Sequence, residues 1–131
     1  HSIKESEKSL SLAKLVKLKF RELEQPVCEL SGGNQQKVIF SRALVSDPKI
    51  LLLDEPTRGV DIGSKFDIYS LISDLRKNGC SIIIVSSDLP EILALSDRII
   101  ILQKHSQSKI LESFPATSKE LLTEIYTNGA A

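Results

Sequence analysis

Short apolar runs alternate with longer amphipathic segments along the chain. The runs KILLL at 49–53, SIIIV at 81–85 and RIIIL at 98–102 are bounded by charged, small or turn-forming residues, which indicates buried strands. The run KILES at 109–113 predicts a fourth strand. Because the first run contains no polar position after its lysine, it predicts a strand buried on both faces, as in a parallel sheet.

The segments between these runs follow the helical period. From Ile68, apolar residues recur at i, i+3, i+4 and i+7, which predicts a helix over 64–78. Ser64 and Asp67 resemble a capping box at its start, and Gly79 suits a left-handed residue just beyond its end. The same reasoning predicts further helices at about 5–20, 33–45 and 90–95, and another from about 117 onward.

Strands that alternate with helices predict an α/β fold with a parallel sheet, right-handed crossovers and flanking helices. The 131 residues are 41% hydrophobic, enough for one compact domain with one core. The 17 basic and 17 acidic residues cancel, which argues against the basic face that nucleic-acid binding requires. The apolar runs are too short to span a bilayer. Cys28 and Cys80 lack metal-ligand spacing and are interpreted as reduced thiols.

The triplet Ser31-Gly32-Gly33 precedes the predicted helix at 33–45. A helix start presents free N–H groups and partial positive charge, so it attracts anions. Two glycines let a phosphate approach the backbone closely, while Ser31 can cap the helix and also donate its hydroxyl outward. If the triplet is taken alone, an ordinary capped turn is the better explanation.

Two adjacent carboxylates, Asp54 and Glu55, end the first strand and precede Pro56. The carboxyl ends of parallel strands are where α/β folds bind ligands. Because side chains alternate along a strand, one carboxylate can hold hydrated Mg²⁺ while the other orients a water molecule. The competing interpretation is a solvated turn.

Together, LSGGNQQKVIFSRAL at 30–44 and ILLLDEPTRGVDIGSK at 50–65 closely resemble the ATP-binding-cassette (ABC) ATPases. The matching parts are the signature motif at 30–37, the Walker B strand at 50–55 and the D-loop at 59–61. The variants GNQQK, PTRGVDIG and SSDLPEIL resemble the second cassette of fused, two-cassette ATPase subunits of bacterial ribose, galactose and arabinose importers.

The resemblance implies a role for each motif residue. Four signature residues would contact the γ-phosphate of an ATP held by the opposite cassette, and Asp61 would reach across that interface. Asp54 would hold Mg²⁺ and Glu55 would polarise the attacking water. The four signature residues are Ser31, Gly32, Gly33 and Gln35.

One position departs from the family pattern. Most cassettes carry histidine after the strand that follows Walker B, whereas this chain has Ser87, between Ser86 and Asp88. Serine cannot become a cation and replaces imidazole poorly beside a γ-phosphate. The resemblance therefore implies a weakly hydrolytic or non-hydrolytic site at Asp54 and Glu55, while the signature serves the competent site of the first cassette.

The chain also lacks the G-x-x-x-x-G-K-[ST] phosphate-binding loop. We therefore expect a partial P-loop NTPase (RecA-like) sheet without the Walker A strand, preceded by a small helical segment. In this interpretation residues 1–131 are the C-terminal part of one nucleotide-binding domain: 1–46 end the helical subdomain with the signature motif, and 47–131 form the Walker B half of the core. We expect the isolated chain to bind ATP weakly or not at all, and not to hydrolyse it.

The resemblance implies ATP and Mg²⁺ as ligands and ATP-driven sugar uptake as the function. It implies as partners a second cassette, transmembrane permease subunits and, indirectly, a periplasmic or extracellular sugar-binding protein. The expected location is cytoplasmic, on the inner face of the bacterial membrane. The alternative is a non-catalytic, truncated cassette that acts as a dimerisation or regulatory module. An upstream Walker A motif in the same reading frame would favour the first interpretation, and a start codon just before His1 the second.

Overall fold

The computed structural model describes residues 3–103, 106–112 and 117–127, which belong to two compact units, His1–Ile83 and Ile84–Ala131. The α/β class is confirmed, and each predicted strand and helix is present among these residues. In chain order the elements are α1 (Ile3–Leu15), a 3-10 turn (Val27–Glu29), α2 (Gly32–Leu44), β1 (Ile50–Asp54), α3 (Ile62–Lys77), β2 (Ser81–Val85), α4 (Leu89–Leu95), β3 (Ile99–Gln103), β4 (Ser106–Leu111) and α5 (Ser118–Thr127).

Helix α1 ends at Leu15, five residues before the predicted end. Lys17 has a left-handed backbone (φ 52°), and its N–H donates to the Lys14 carbonyl at 3.1 Å. The Leu18 N–H donates to the Ala13 carbonyl at 2.8 Å, which completes a Schellman arrangement. The prediction missed this end because the terminating residue is lysine rather than glycine.

Helix α3 begins at Ile62 because Asp61, not Ser64, is its N-cap. The Asp61 carboxylate accepts the backbone N–H of Ser64 at 2.9 Å. The predicted capping box of Ser64 and Asp67 is therefore wrong. The other end of α3 is as predicted, since Gly79 is left-handed (φ 88°) and its N–H donates to the Arg76 carbonyl at 3.0 Å.

Strand β1 is buried on one face only, so the prediction of burial on both faces is wrong. Leu51 is 5% exposed, whereas Ile50 is 59% and Leu52 is 72% exposed. Neighbouring residues of a strand point to opposite faces, and the described residues cover only the Leu51 face. The hydrophobic core of the first unit consists of Ala13, Val16, Phe40, Leu44, Leu51, Ile68, Leu71 and Ile72.

The described strands form two two-stranded sheets, one of β1 and β2 and one of β3 and β4. Helix α3 connects β1 to β2, as a parallel crossover requires, and the Ser81 N–H donates to the Lys49 carbonyl at 2.9 Å where β2 begins beside β1. Strands β3 and β4 are antiparallel, and their register shifts between Ile101 and Leu102. Lys104 and His105 lie outside the described residues.

The second unit has its own core, formed where one face of the β3–β4 hairpin meets α4 and α5. Leu121 of α5 is 1% exposed and packs with residues from both strands. The core residues are Ile99, Ile101, Leu111 and Leu121, with Leu89, Ile92, Leu93 and Ile125 packed against them. None of the helices within the described ranges is long and apolar enough to cross a membrane.

Candidate functional site

The turn before α2 leaves its first N–H groups without a side-chain cap. Ser31 occupies the N-cap position in an extended conformation (φ −60°, ψ 154°), but its side chain makes no capping hydrogen bond. Instead, the Asn34 Nδ2 donates to the Ser31 Oγ at 3.0 Å. The predicted capping role of Ser31 is therefore wrong, and its hydroxyl oxygen serves as an acceptor. The exposed start of α2 keeps both its positive end and a hydroxyl proton for an outside acceptor.

Gln35, also predicted to face a phosphate, is bonded within the turn. Its backbone N–H donates to the Ser31 carbonyl at 2.8 Å, the first turn of the helix. Its side-chain Nε2 donates to the Leu30 carbonyl at 2.9 Å, and the residue is half-buried. This amide therefore holds the chain entering the helix, so the structure gives Gln35 a stabilising role in the turn.

The two glycines of the turn have different surroundings. A Cβ at Gly33 would lie 2.1 Å from the Ser64 Oγ and 2.4 Å from the Ser64 Cβ, so packing against α3 excludes any side chain. At Gly32 the nearest atom to such a Cβ is the Gly59 carbonyl oxygen at 3.4 Å, and the backbone has no positive φ. Gly33 is thus required by internal packing, whereas neither packing nor backbone conformation requires glycine at Gly32. The missing side chain at exposed Gly32 leaves room for a ligand from outside.

Asp61 lies beside this turn with both carboxylate oxygens bonded to one residue. Oδ1 accepts the Ser64 N–H at 2.9 Å and Oδ2 accepts the Ser64 hydroxyl at 2.7 Å. The Ser64 N–H, followed by the Ser64 hydroxyl, lowers the pKa of Asp61 below its usual value of 3.8. The carboxylate is therefore ionised at neutral pH and shapes the corner where α2 meets α3.

The acid pair follows β1 as predicted. Asp54 is the last residue of β1 and is exposed, while Glu55 is half-buried. Glu55 has a left-handed backbone (φ 48°), precedes buried Pro56, and accepts the Arg58 N–H on its carbonyl at 3.1 Å. A non-glycine residue in this region costs roughly 1–3 kcal/mol, and such residues cluster at functional sites. The tight turn therefore directs the chain away from the strand immediately after the two carboxylates.

These carboxylates fit a magnesium ion only if other ligands contribute. Across the residues that the structure describes, no three His, Cys, Asp or Glu side chains are grouped to hold a metal ion. Mg²⁺ is commonly bound by one or two carboxylates together with water and substrate phosphates. Asp54 suits that mode because it is an exposed carboxylate at a strand end.

Ser87 belongs to the second unit and lies between β2 and α4. It is exposed, and the next residue, Asp88, is the N-cap that accepts the Glu91 N–H at 3.2 Å. The Asp88 N–H in turn donates to the Ser86 hydroxyl at 3.0 Å. Asp88, rather than Ser87, therefore starts the helix, and Ser87 presents a hydroxyl where the family pattern has an imidazole.

Sequence reasoning missed three residues of this corner. Ser64 bonds Asp61 and limits the space at Gly33, although it was interpreted as a cap. Lys37 is buried and pairs with Asp67 at 2.7 Å. The pair is 30 positions apart, and no local pattern indicates such a contact. The signal that identifies this ion pair is the burial of Lys37, which is unusual for a lysine and can be seen only in the structure.

A family model described as "ABC transporter" matches residues 1–58. The galactose/methyl galactoside import ATP-binding protein of Clostridium tetani is 56% identical over 93 residues, which are 71% of this chain and 18% of that protein. The ribose import ATP-binding protein of Hahella chejuensis is 46% identical over 119 residues, 91% of this chain and 24% of that protein. The chain thus spans about a fifth to a quarter of these relatives.

Solved structures give the same picture of the fold. The dimeric, post-hydrolysis ATP-binding cassette MJ0796 with ADP and Pi superposes with a TM-score of 0.74 at 27% identity, over 87% of this chain and 50% of that one. The cassette MJ1267 superposes with a TM-score of 0.76 at 23% identity, over 97% of this chain and 50% of that one. The chain therefore corresponds in extent to about half of each cassette.

Proposed function

This chain is part of an ABC transporter ATPase domain, and from this premise we propose that it supplies the signature turn, the Walker B acids and the D-loop of a bacterial sugar importer. The observation that carries the proposal is the uncapped start of α2 at Ser31 and Gly32. The chain leaves this surface both electropositive and free of side-chain bulk.

At the signature turn, the chain's own groups would bind the γ-phosphate of an ATP seated on a second cassette. The N–H groups at the start of α2 and the Ser31 hydroxyl are the donors. Hydrogen bonds to charged groups contribute about 1.5–3 kcal/mol each. A few such bonds suffice to hold two cassettes together while ATP is present and to release them after the phosphate has been cleaved.

At the end of β1, the two acids would divide the work of hydrolysis. Asp54 would hold Mg²⁺, which when bound neutralises phosphate charge. Glu55 would orient the attacking water by accepting a hydrogen bond from it. The serine at position 87 cannot supply the positive charge that the family's histidine can. We therefore expect Asp54 and Glu55 to support only slow ATP hydrolysis.

The names of the relatives support the wider assignment, because each is an import ATP-binding protein for a sugar. We propose that the complete subunit pairs this cassette with another, contacts transmembrane permease subunits and works with a sugar-binding protein outside the membrane. Its place would be the cytoplasmic face of the cell membrane. In isolation the 131 residues would not hydrolyse ATP, because they contain no phosphate-binding loop.

The test is Ser31→Glu in the complete subunit, with ATP hydrolysis and sugar uptake as readouts. A carboxylate at this position would repel the γ-phosphate, and loss of one preorganised donor alone costs about 100- to 1,000-fold in comparable sites. The same change should not weaken the fold, since an acid near a helix start contributes about 0.3–1 kcal/mol of stability. Activity and stability should therefore change in opposite directions.

Ser46→Glu is the matched control, because Ser46 is an exposed serine beyond the other end of α2. We expect hydrolysis and uptake close to wild type for this variant. Equal activity of Ser31→Glu and wild type would contradict the proposal. It would favour the alternative of a non-catalytic module.

A further inference from the structure

Lys37 is a buried lysine in the middle of the helix that carries the signature turn. The residue is 3% exposed, and lysine is almost never buried to this degree unless it is paired. It follows the glycine turn by one helical turn, since Gly33 and Lys37 are four positions apart. The signature motif was interpreted only through its phosphate-facing residues, and that interpretation leaves this side chain without a role.

The Lys37 ammonium donates two hydrogen bonds to other elements of the unit. Its Nζ donates to the Asp67 Oδ2 at 2.7 Å and to the Lys17 carbonyl at 3.2 Å. Asp67 belongs to α3, and Lys17 lies in the left-handed turn that ends α1. One side chain therefore connects α2 both to the helix that follows the D-loop and to the end of α1.

The ion pair is the second of two contacts between the same faces of α2 and α3. The first is the close approach of Gly33 to Ser64, which leaves no space for a methyl group. From there Lys37 is at i+4 on α2 and Asp67 is at i+3 on α3, and such spacings keep residues on one helix face. Two contacts one turn apart fix the relative orientation of the helices better than one contact does.

The charges of Lys37 and Asp67 stabilise the same arrangement of α2 against α3. The hydrogen bond from Lys37 lowers the pKa of Asp67 below its usual value of 3.8, with further lowering by the positive charges of Lys37, Lys17 and Lys19. Asp67 is therefore ionised at neutral pH, while its side chain remains 38% exposed. Breaking the pair would leave the Lys37 charge buried without a counterion.

We propose that Lys37 is a positioning residue: through Asp67 it holds the Ser31–Gly33 turn and the Asp61 turn in one fixed geometry, so that both turns meet the same cassette interface. The inference rests on the proposed function, because it concerns the nucleotide that the signature turn would bind. Loss of the pair would let the two turns shift separately. A shift of about 1 Å in a catalytic geometry can cost about 100-fold in rate.

The experiment measures ATP turnover per bound nucleotide in the complete subunit for Lys37→Met, Asp67→Asn and the double variant. We expect each single variant to lose about 10- to 100-fold. The double variant should be no worse than either single one, because coupled residues are non-additive. Lys37→Arg, which keeps the charged donor to Asp67, should retain turnover within about threefold of wild type.

An exposed ion pair on the same helix α3 provides the control. Lys77 and Asp74 are 3.6 Å apart with side chains 67% and 64% exposed. We expect Lys77→Met, Asp74→Asn and their double variant to keep wild-type turnover. Should Lys37→Met fail to fold, Asp67→Asn decides the question, since it preserves the shape of the side chain.

The outcomes separate this inference from the proposed function. Wild-type turnover per bound nucleotide in Asp67→Asn, even with a lowered melting temperature, would mean a purely structural pair and would overturn the inference. Additive losses in the double variant would also overturn it. If Ser31→Glu hydrolyses ATP normally in parallel, the proposed function fails and this inference fails with it. If only Ser31→Glu is inactive, the proposed function stands and the inference alone is wrong.

Discussion

The corner where α2 meets α3 differs from strand β1 in how completely the described residues pack against it and bond its polar groups. At the corner, the polar side chains bond to groups of the same unit. Gln35 holds the Leu30 carbonyl, Asp61 holds Ser64, and Lys37 holds Asp67. Gly33 is packed so tightly against α3 that no larger residue fits. This corner is preorganised by its own residues.

Strand β1 shows the opposite. Its residues alternate between a buried face and a face on which Ile50 and Leu52 are largely exposed, although both are apolar. Asp54, at its end, is an exposed carboxylate. The solved cassettes on which the chain superposes are about twice its extent. The comparison teaches that the described residues hold the proposed signature turn in place by themselves, whereas they leave one apolar face of β1, the strand that ends at the proposed Asp54–Glu55 site, largely uncovered.

The largest effect that tests this comparison comes from neighbouring leucines of β1. In the 131-residue chain, Leu51→Ala should cost about 2–5 kcal/mol of unfolding free energy, because Leu51 is 5% exposed and its loss leaves a cavity. Leu52→Ala should change the unfolding free energy by less than about 0.5 kcal/mol, because Leu52 is 72% exposed. Urea denaturation followed by circular dichroism measures both.

The same pair can be compared in the complete subunit. If further elements cover β1 there, Leu52→Ala becomes as costly as Leu51→Ala. Equal costs already in the 131-residue chain would mean that its exposed face is covered in solution, and the contrast between the two regions would be wrong.

A smaller effect separates the two glycines of the signature turn. Gly33→Ala should cost about 1–3 kcal/mol by overpacking against Ser64. A methyl group at position 32 would contact only the Gly59 carbonyl oxygen, at 3.4 Å. The unfolding free energy of Gly32→Ala, measured by thermal unfolding, should therefore lie within about 0.5 kcal/mol of wild type. ATP turnover of the complete subunit should nevertheless fall for Gly32→Ala, since the added methyl occupies the surface that a phosphate would approach.

If the order of stabilities were reversed, Gly32 rather than Gly33 would be the glycine that packing requires. Unchanged turnover for Gly32→Ala would mean that no ligand approaches this surface closely. Either result would remove the distinction between an inward and an outward glycine.

Much of the fold could be predicted because its signals are local. The apolar run at 49–53 and the glycine turn before α2 were enough to place β1 and α2 within about a residue or two. The end of α1 was missed because lysine at position 17 adopts the left-handed conformation that glycine usually provides. An apolar run also indicates that both faces of a strand favour burial, but not which face the rest of the chain covers.

The candidate site was predictable as a set of residues but not as an arrangement. The motif placed Ser31 before α2 and Asp54 and Glu55 at the end of β1, where the structure has them. It placed Asp61 in the D-loop, three residues before the predicted start of the helix that Asp61 caps in the structure. It gave no indication that Asp61 binds Ser64 rather than solvent, or that Lys37 binds Asp67. Those contacts depend on how α2 packs against α3, which no local pattern encodes.

The central claim is that the backbone at the start of α2 binds a phosphate held by another cassette. Amide hydrogen exchange of the complete subunit, with and without a slowly hydrolysed Mg-ATP analogue, tests it most directly. The N–H groups of Gly32, Gly33 and Asn34 precede the first intrahelical bond of α2, so they should exchange about 10- to 100-fold more slowly when the analogue is bound, as expected for new hydrogen bonds to a charged group. The first turn of α5 should show no change. Unaltered exchange at Gly32 to Asn34 under saturating analogue would contradict the account.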